Sequence, residues 1–204
     1  MANAARDDRG AVIDFDAMYR GGTPPWDIGR PQGAFLRLAE EGAIRGNVLD
    51  VGCGTGEHAL LAASLGLVAT GIDASPTAIA SAQEKARARR LPARFVVGDA
   101  LDLPALRDVF DTVLDCGLFH VLDEDERARY VESLHAVVVP GGAVHVLCFS
   151  DRVPGEVGPA RIRREQIRAA FADGWRVAAI DDAAIEATFR PEGVPAWLAR
   201  LLRV

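Results

Sequence analysis

The sequence predicts a doubly wound α/β domain, a mostly parallel sheet of seven strands with helices on both faces. Short apolar runs alternate with longer helical patterns from residue 47 onwards, and the connections between them are short. The runs VLDV, FVVGD and VHVLCF carry apolar residues towards both faces, as the strands of a parallel sheet do. With 204 residues, the chain is long enough for one domain with a substantial core.

The predicted elements follow one another without an internal repeat. Ser75 and Pro76 form an N-cap with proline at the first helical position, and the Pro-Gly-Gly of residues 140–142 is predicted to end a helix. The predicted strands are residues 47–51, 68–72, 93–97, 112–115, 143–149, 175–180 and 185–190, and the predicted helices are residues 57–65, 76–90, 125–138 and 165–173.

The last two predicted strands are expected to form an antiparallel hairpin. Only residues 181–184 separate them, too few for a crossover helix. Residues 196–202 are predicted to be an amphipathic stretch that packs against the core. We expect residues 1–46 to form an N-terminal lid or cap of the same domain, irregular over its first 20 residues, and residues 47–204 to form the Rossmann-like domain.

Composition narrows the classes of function. A net charge of −6 and a pI near 5.2 argue against nucleic acid, since binding phosphates needs clustered Lys and Arg. The cysteines are far apart and show no metal-ligand spacing, so we expect reduced thiols and no metal. Because the sequence has neither a signal-like N-terminus nor an apolar run of about 18 residues, we predict a cytoplasmic protein that does not contact a membrane.

A glycine-rich turn between the first strand and the first helix is the strongest local signal. In VLDVGCGTGEHAL, Gly52, Gly54 and Gly56 let the chain turn tightly and let a ligand approach the backbone. The spacing is G-x-G-x-G and not the G-x-G-x-x-G of dinucleotide sites, and Glu57 in the first helical turn would repel a diphosphate. Asp50, in the strand before the glycines, is placed to hold a ligand ammonium.

Three later strands also end in polar residues. Asp73 is placed to accept hydrogen bonds from both hydroxyls of a ribose, and Asp99 from an exocyclic adenine amine while the Ala100 N–H donates to the ring. Asp115 and Cys116, after the fourth strand, are expected to face an amino-acid end of the ligand. The carboxyl ends of these strands meet where the strand order reverses, which is where open α/β sheets bind ligands.

Residues 47–149 resemble a class I S-adenosylmethionine-dependent methyltransferase, with the motifs LDVGCGTG, GIDAS, GDALDLP, FDTVLD and PGG in order. The resemblance implies the sheet order 3-2-1-4-5-7-6 with strand 7 antiparallel. It also implies S-adenosylmethionine as cofactor and S-adenosylhomocysteine as product. The predicted cofactor contacts in this part of the chain are Asp50, Gly52, Cys53, Gly54, Gly56, Asp73, Ala74, Asp99, Ala100, Asp115 and Cys116.

The stretch TPPWDIGRPQ, before the first strand, is similar to the N-terminal segment of the thiopurine, thiol and halide methyltransferase group. That resemblance implies that Trp26 lies against the cofactor, where an aromatic face stabilises a sulfonium, and that Gln32 lies near it. A Pro-Pro-aromatic motif also occurs in base-flipping DNA methyltransferases, but there it follows the fourth strand, and the protein here is acidic. A third reading is that Pro24, Pro25 and Trp26 only anchor the N-terminus.

The acceptor side is less well defined. His120, just beyond the fourth strand, is the candidate general base for a hydroxyl acceptor, with a packing role as the alternative. Tyr19 and Phe119 are predicted to form aromatic walls of the acceptor pocket. Arg152 is predicted to contact an anionic acceptor, with a solvated surface arginine as the alternative.

Together these features predict an enzyme of the EC 2.1.1 class that methylates a small thiol, heterocyclic or phenolic acceptor. The alternatives are a carboxylate or amine acceptor, a non-catalytic S-adenosylmethionine-binding protein and an NAD-linked oxidoreductase. The sequence leaves open the identity of the acceptor and whether the protein is a monomer or a homodimer.

Overall fold

The structure, a computed structural model, describes residues 13–155 and 159–204. The strands are β1 Asn47–Val51, β2 Val68–Asp73, β3 Ala93–Val97, β4 Phe110–Cys116, β5 Val138–Phe149, β6 Trp175–Ala187 and β7 Arg190–Arg203. The α-helices are α1 Phe15–Arg20, α2 Gly33–Glu40, α3 Glu57–Ser64, α4 Pro76–Arg89, α5 Glu124–Val137 and α6 Arg164–Ala170, and a 3₁₀ helix spans Ala100–Leu106.

The strands form one sheet in the order β3-β2-β1-β4-β5-β7-β6, so the predicted topology is confirmed. Strands β1 to β5 run parallel, whereas β7 pairs antiparallel with both β5 and β6. Strands β2 and β3 are added on one side of β1, and β4 and β5 are then added on its other side. The carboxyl edge, defined here as the C-terminal ends of β1 to β5, therefore has its switch point between β1 and β4.

Two apolar clusters cover the sheet, one for each layer of helices. One contains Tyr130 and Leu134 of α5 with Ile167 of α6, and the other contains Phe35 and Leu38 of α2 with residues of α3 and α4. All five of these side chains are fully buried, and each such burial contributes about 2 kcal/mol. Because α2 supplies core residues, the segment before β1 is packed into the same domain.

Helix boundaries follow local hydrogen bonding. The Ser75 hydroxyl accepts the Ala78 N–H at 3.0 Å, which confirms the predicted N-cap of α4. Helix α5 begins with a capping box between Asp123 and Glu126. It ends at Val137, so the Pro-Gly-Gly of residues 140–142 lies in the irregular start of β5 and does not end the helix as predicted.

The predicted hairpin exists, but its turn was placed wrongly. Residues 175–180 and 185–190 were expected to be its two strands, whereas 175–187 form the single strand β6 and the turn lies at Thr188 and Phe189. Asp181 and Asp182 pair with residues of β7 and so belong to β6. Two acidic residues are tolerated there because β6 is an edge strand and their side chains are exposed to solvent. The second strand, β7, contains the stretch 196–202 that was predicted only as amphipathic.

The N-terminal segment is more regular than predicted. Helix α1 occupies part of the first 20 residues, where irregular structure was expected, and Asp14 caps it by accepting the Ala17 N–H at 2.9 Å. A helix of six residues is too short to show a period and depends on tertiary contacts. Across residues 13–155 and 159–204, no helix combines the length and apolar character needed to cross a membrane.

Candidate functional site

The glycine turn lies at the switch point and is enclosed by other parts of the chain. Gly52, Gly54 and Gly56 all have positive φ angles, of 65°, 52° and 87°. A Cβ on Gly54 would lie 2.6 Å from the Tyr19 hydroxyl, and a Cβ on Gly56 would lie 2.6 Å from the Phe95 ring. Glycine is therefore required here both for the backbone conformation and for the close approach of neighbours.

Asp50 carries an unpaired buried carboxylate oxygen beside this turn. The residue is 1% exposed; its Oδ2 accepts the Ala59 N–H at 3.0 Å, and its Oδ1 has no hydrogen-bond partner. His58 Nδ1 lies 3.8 Å from Oδ1, beyond hydrogen-bond distance. Burial raises the pKa of Asp50 to about 8. A buried oxygen without a donor is costly, so Oδ1 is suited to a cationic ligand group.

Gln32 connects the N-terminal segment to two other elements. Its side-chain amide donates to the Glu186 carbonyl at 3.0 Å and accepts the Glu186 N–H at 2.8 Å. Its backbone N–H donates to His58 Nε2 at 3.2 Å, which places the proton of a neutral His58 on Nδ1, facing Asp50. The amide is thus bound to β6, and the predicted contact of Gln32 with the cofactor stays a prediction.

Asp73 and Asp99 lie at the ends of β2 and β3. Asp73 accepts the Gly54 N–H and the Ser75 N–H, both at 2.8 Å, and so holds the glycine turn against β2. Burial raises its pKa. Asp99 accepts the Leu101 N–H at 2.8 Å and caps the 3₁₀ helix that begins at Ala100. Each carboxylate oxygen has a second lone pair, so both residues can still accept hydrogen bonds from a ligand.

Asp115 is bound within the protein at the end of β4. It is fully buried, and its carboxylate accepts the N–H groups of Leu118 and Phe119 at 2.9 and 3.3 Å and the Tyr130 hydroxyl at 3.0 Å. The predicted contact of Asp115 with the ligand stays a prediction. Asp115 fixes the loop after β4, and burial raises its pKa to about 7.

The two cysteines predicted near the cofactor present little of their side chains to a ligand. Cys53 is 7% exposed, and its Sγ lies 2.9 Å from where a Cβ on Gly71 would be, under the sheet. Cys116 is half-buried and packs against the α2–α3 layer. Burial raises the pKa of both thiols, which keeps them protonated. Ala74, the remaining predicted contact, is exposed beside Asp73.

An N-terminal cap, defined here as residues 13–32, covers the glycine turn. The Trp26 Nε1–H donates to the Tyr19 hydroxyl at 2.9 Å, and that hydroxyl lies over Gly54. Trp26 also packs edge-on against Phe15 and remains 38% exposed. Tyr19, predicted as an acceptor wall, is thus the aromatic residue of the cap that contacts the turn, and Trp26 is bound to its hydroxyl.

Besides the bonds of Gln32 and an ion pair between Arg30 and Glu186, three further anchors hold the N-terminal cap, and sequence reasoning missed them. Asp16 accepts the Ser75 hydroxyl at 2.7 Å and the Thr77 N–H at 3.0 Å at the start of α4. Asp27 accepts the Thr55 hydroxyl at 2.8 Å in the glycine turn. The Pro25 carbonyl accepts a backbone N–H at 2.8 Å from the β6–β7 turn. Neither a single acidic residue nor a backbone carbonyl gives a sequence signal for the distant partner that it binds.

Glu57 has a different role from the one expected for it. It is 6% exposed and forms ion pairs with Lys85 at 2.8 Å and Arg89 at 2.7 Å, both from α4. The negative charge of Glu57 is therefore neutralised by two cations of the protein and is not free to repel an anion. The two ion pairs also connect α3 to α4.

His120 lies in the loop after β4 with its two ring nitrogens in different settings. Nδ1 accepts the Phe149 N–H at 2.9 Å, and the ring stacks on Phe149 with centroids 4.4 Å apart. Nε2 has no hydrogen bond within the described part of the chain and lies 3.6 Å from where a Cβ on Gly117 would be. Burial, with the charges of Arg127 and Arg161, lowers the pKa of His120 to about 3.

Phe119 does not line the acceptor side as predicted. Its side chain is fully buried, packs against Phe171 with centroids 6.0 Å apart, and has the Arg127 guanidinium 5.4 Å from its ring. Phe119 therefore packs into the core, whereas the His120 ring stacks on Phe149.

Arg152 lies on the outer strands. Its guanidinium is 2.7 Å from the Asp182 carboxylate and 4.6 Å from the centre of the Trp197 ring. Arg164 contacts the same carboxylate and the same ring, at 2.7 and 4.1 Å. These contacts fit the alternative that Arg152 is a surface arginine. Its predicted contact with an acceptor stays a prediction.

Comparisons with known proteins agree with this geometry. Residues 48–142 match the family model described as a methyltransferase domain. The 2-heptyl-1-hydroxyquinolin-4(1H)-one methyltransferase of Mycobacteroides abscessus is 35% identical over 183 residues, which cover 85% of this chain and 81% of the relative.

Two solved structures are also similar to this chain. A structure from work on the conversion of a disulfide bond into a thioacetal group during echinomycin biosynthesis is 41% identical, with a TM-score of 0.83, and the match covers 93% of this chain and 91% of the other. Magnesium protoporphyrin IX methyltransferase from Synechocystis, with bound S-adenosylmethionine, is 18% identical with a TM-score of 0.67, over 95% of this chain and 86% of the other. This second likeness concerns the fold alone.

Proposed function

Since the chain belongs to the class I S-adenosylmethionine-dependent methyltransferases, we propose that it methylates a small thiol, heterocycle or phenol whose acceptor atom ionises readily. The family settles the type of reaction and the methyl donor. The nature of the acceptor rests on the surroundings of His120 and on the chemistry of methyl transfer.

The residues at the carboxyl edge fit the cofactor. The unpaired Oδ1 of Asp50 suits the ammonium of its methionine part, and the glycine turn has no Cβ atoms to keep a ligand from its backbone once the N-terminal cap opens. Asp73 and Asp99 have lone pairs left for the ribose hydroxyls and the adenine amine. When bound, S-adenosylmethionine supplies an electrophilic methyl group: the acceptor's lone pair bonds to the methyl carbon as the bond from that carbon to the sulfonium breaks, leaving S-adenosylhomocysteine.

The protein contributes alignment and the exclusion of water. The N-terminal cap covers the glycine turn through Tyr19 and Trp26, and its anchors join it to three separate parts of the domain. Aligning the two reactants and removing water from between them lowers the barrier of an in-line displacement. A thiol, or a hydroxyl on a heterocycle or phenol ring, is already an effective nucleophile once it has lost its proton.

The electrostatics around His120 carry the choice of acceptor. The charges of Arg127 and Arg161 act on His120, while the carboxylates of α5 and its cap act on Arg127, and the Asp115 carboxylate is bound within the protein. Positive charge next to the ring favours an anionic acceptor over a cationic amine. The Mycobacteroides abscessus relative, named for a 1-hydroxyquinolin-4(1H)-one, supports an acceptor in which a hydroxyl is attached to a heterocycle.

A methyl-transfer screen tests this proposal. S-adenosylmethionine carrying a labelled methyl group is supplied with thiophenol, a 1-hydroxyquinolin-4-one, a phenol, an aliphatic amine and a carboxylic acid. We expect label in the first three compounds and little in the amine. Reactions without the protein serve as the control for uncatalysed transfer. Preferential labelling of the amine, or binding of S-adenosylhomocysteine with no transfer to any compound, would contradict the proposal.

A further inference from the structure

The two ring nitrogens of His120 are not interchangeable. The N–H of Phe149 points at Nδ1 at 2.9 Å, and a backbone N–H can only donate. Nδ1 must therefore be the unprotonated nitrogen, and in a neutral imidazole the proton then resides on Nε2. The stacking of the ring on Phe149, at 4.4 Å, and its 6% exposure hold it in this orientation.

This tautomer is also poorly suited to gaining a second proton. Protonation of Nδ1 would place two donors against each other at the Phe149 N–H. Arg127 of α5 and Arg161 of the loop before α6 add positive charge that acts on the ring, and the carboxylates of Asp123, Glu124 and Glu126 act on Arg127. The Asp115 carboxylate is bound to Leu118 and Tyr130. Burial and these charges lower the pKa of His120 to about 3, which agrees with the geometry.

Nε2 is the atom of His120 that faces the carboxyl edge. It has no hydrogen-bond partner among the described residues and is not one of their fully buried unpaired atoms. It lies 3.6 Å from where a Cβ on Gly117 would be, and the next residue, Leu118, lies against Gly52 of the glycine turn. Nε2 therefore lies beside Gly117, which directly follows β4, in a loop that also contacts the cofactor turn through Leu118.

We propose that His120 donates a hydrogen bond from Nε2–H to the ionised acceptor atom and does not act as a general base. This rests on the proposed function, because it assumes an acceptor that ionises. The acceptor gives its proton to solvent water before transfer, and the resulting anion is held by the Nε2–H and by the field of Arg127 and Arg161. The anion's lone pair then forms the bond to the methyl carbon, the bond from that carbon to the sulfonium breaks, and the proton of His120 stays on Nε2 throughout.

Two substitutions separate this role from the alternatives. His120→Gln keeps an N–H donor close to the position of Nε2 but loses the acceptor for the Phe149 N–H. His120→Asn keeps an acceptor close to Nδ1 but has no donor at Nε2. Neither side chain can act as a base at neutral pH, and both are neutral amides, so each serves as the matched control for the other.

We expect kcat/KM to fall roughly 10- to 100-fold in His120→Asn, the effect of losing one hydrogen bond to a charged group, and to fall much less in His120→Gln. Equal, large losses in both variants would mean that a base has been removed and would overturn the proposal. A larger loss in His120→Gln would mean that the bond to Phe149 is what matters, and would overturn it as well.

The pH profile gives a second readout. With acceptors of different acidity, the rising limb of kcat/KM should shift with the pKa of each acceptor, because ionisation occurs before transfer. A rising limb that stays at one pH for all acceptors, and that disappears in His120→Gln, would show that His120 titrates as the base.

A third readout needs no turnover. In ¹⁵N-labelled protein with S-adenosylhomocysteine, long-range proton–nitrogen NMR spectra should show His120 protonated on Nε2 and not titrating between about pH 5 and 8. His58, whose Nε2 accepts the Gln32 N–H, should show the opposite tautomer and serves as the internal reference. A proton on Nδ1 of His120, or titration near neutral pH, overturns the proposal. Because this spectrum does not depend on the acceptor, it decides the state of His120 even if the acceptor screen fails.

Discussion

At the scale of single residues, the unpaired oxygen of Asp50 makes cofactor binding sensitive to pH. Burial raises the pKa of this carboxyl to about 8, so it is mostly protonated in the free protein at pH 7. A ligand ammonium interacts with the carboxylate form and must lower that pKa. Binding at pH 7 should therefore release close to one proton, and the dissociation constant should rise as the pH falls below about 8.

Calorimetry checks this expectation. Titrations of S-adenosylhomocysteine in buffers with different heats of ionisation give the number of protons released on binding. Asp50→Asn should bind more weakly and lose most of the release. A wild-type binding heat that is the same in every buffer at pH 7 would show that Asp50 is already ionised in the free protein.

Asp73 has two tasks at the end of β2. It holds the glycine turn through the Gly54 N–H and is placed to accept from the ribose. Asp73→Asn removes the charge and one acceptor, so we expect the dissociation constant of S-adenosylhomocysteine to rise roughly 10- to 100-fold. Asp102→Asn, an exposed position in the adjacent 3₁₀ helix, is the matched control. If both substitutions weaken binding equally, the effect is one of net charge and not of the ribose contact.

At the scale of elements, the N-terminal cap depends on polar anchors more than on buried apolar surface. Helix α1 has no buried residue, and Asp16 connects it to the start of α4. A segment held in this way should open locally without unfolding the domain. Such opening would let the cofactor enter a site that Tyr19 covers in this structure.

Asp16→Ala should make the N-terminal cap open more often. We expect several-fold faster hydrogen exchange and proteolysis within residues 13–32, with the exchange of β1 and β4 unchanged. Asp125→Ala, an exposed acidic residue in the first turn of α5, controls for the loss of charge near a helix start. Uniformly faster exchange over the whole chain would instead point to a global loss of stability.

Elements with strong local signals were predicted well. The bounds of β1 and β3 agree with the prediction, because each is a short apolar strand flanked by turn residues. The turn of the β6–β7 hairpin was not predictable, because Thr188 and Phe189 carry no glycine or proline and the acidic pair before them resembles a turn.

At the site, too, residues with a sequence signal were predicted well and residues without one were not. Residues of the glycine motif and of the strand ends, such as Asp50 and Asp73, were found because their spacing along the chain reflects a shared edge of the sheet. The direction of a side chain within a loop has no such signature. Phe119 was therefore assigned to the ligand although it points into the core. The anchors of the N-terminal cap join residues far apart in sequence and had to be seen in three dimensions.

At the scale of the whole molecule, buried ionisable groups oppose one another in their effect on stability. Burial lowers the pKa of His58 and His145 to about 4 and that of His120 to about 3. The unfolded chain therefore binds more protons at these histidines below about pH 6.5, and their contribution to stability is lost as the pH falls. Burial raises the pKa of Asp50 to about 8 and of Asp115 to about 7, so these carboxyls contribute stability at low pH and lose it as the pH rises through those values.

Below about pH 6 the three histidines outweigh the two carboxyls, and above about pH 6.5 only the carboxyls act. We therefore expect the free energy of unfolding, from urea titrations without cofactor, to rise with pH up to about pH 6 and then to fall towards about pH 8. The decline should be up to about 1.4 kcal/mol per pH unit for each carboxyl that ionises only in the unfolded chain. Asp115→Asn, which mimics the neutral acid, should flatten the decline, whereas Asp125→Asn on the surface should leave it unchanged. A decline of the same slope in Asp115→Asn would mean that this carboxyl is ionised in the folded protein and is stabilised there by the N–H groups of Leu118 and Phe119.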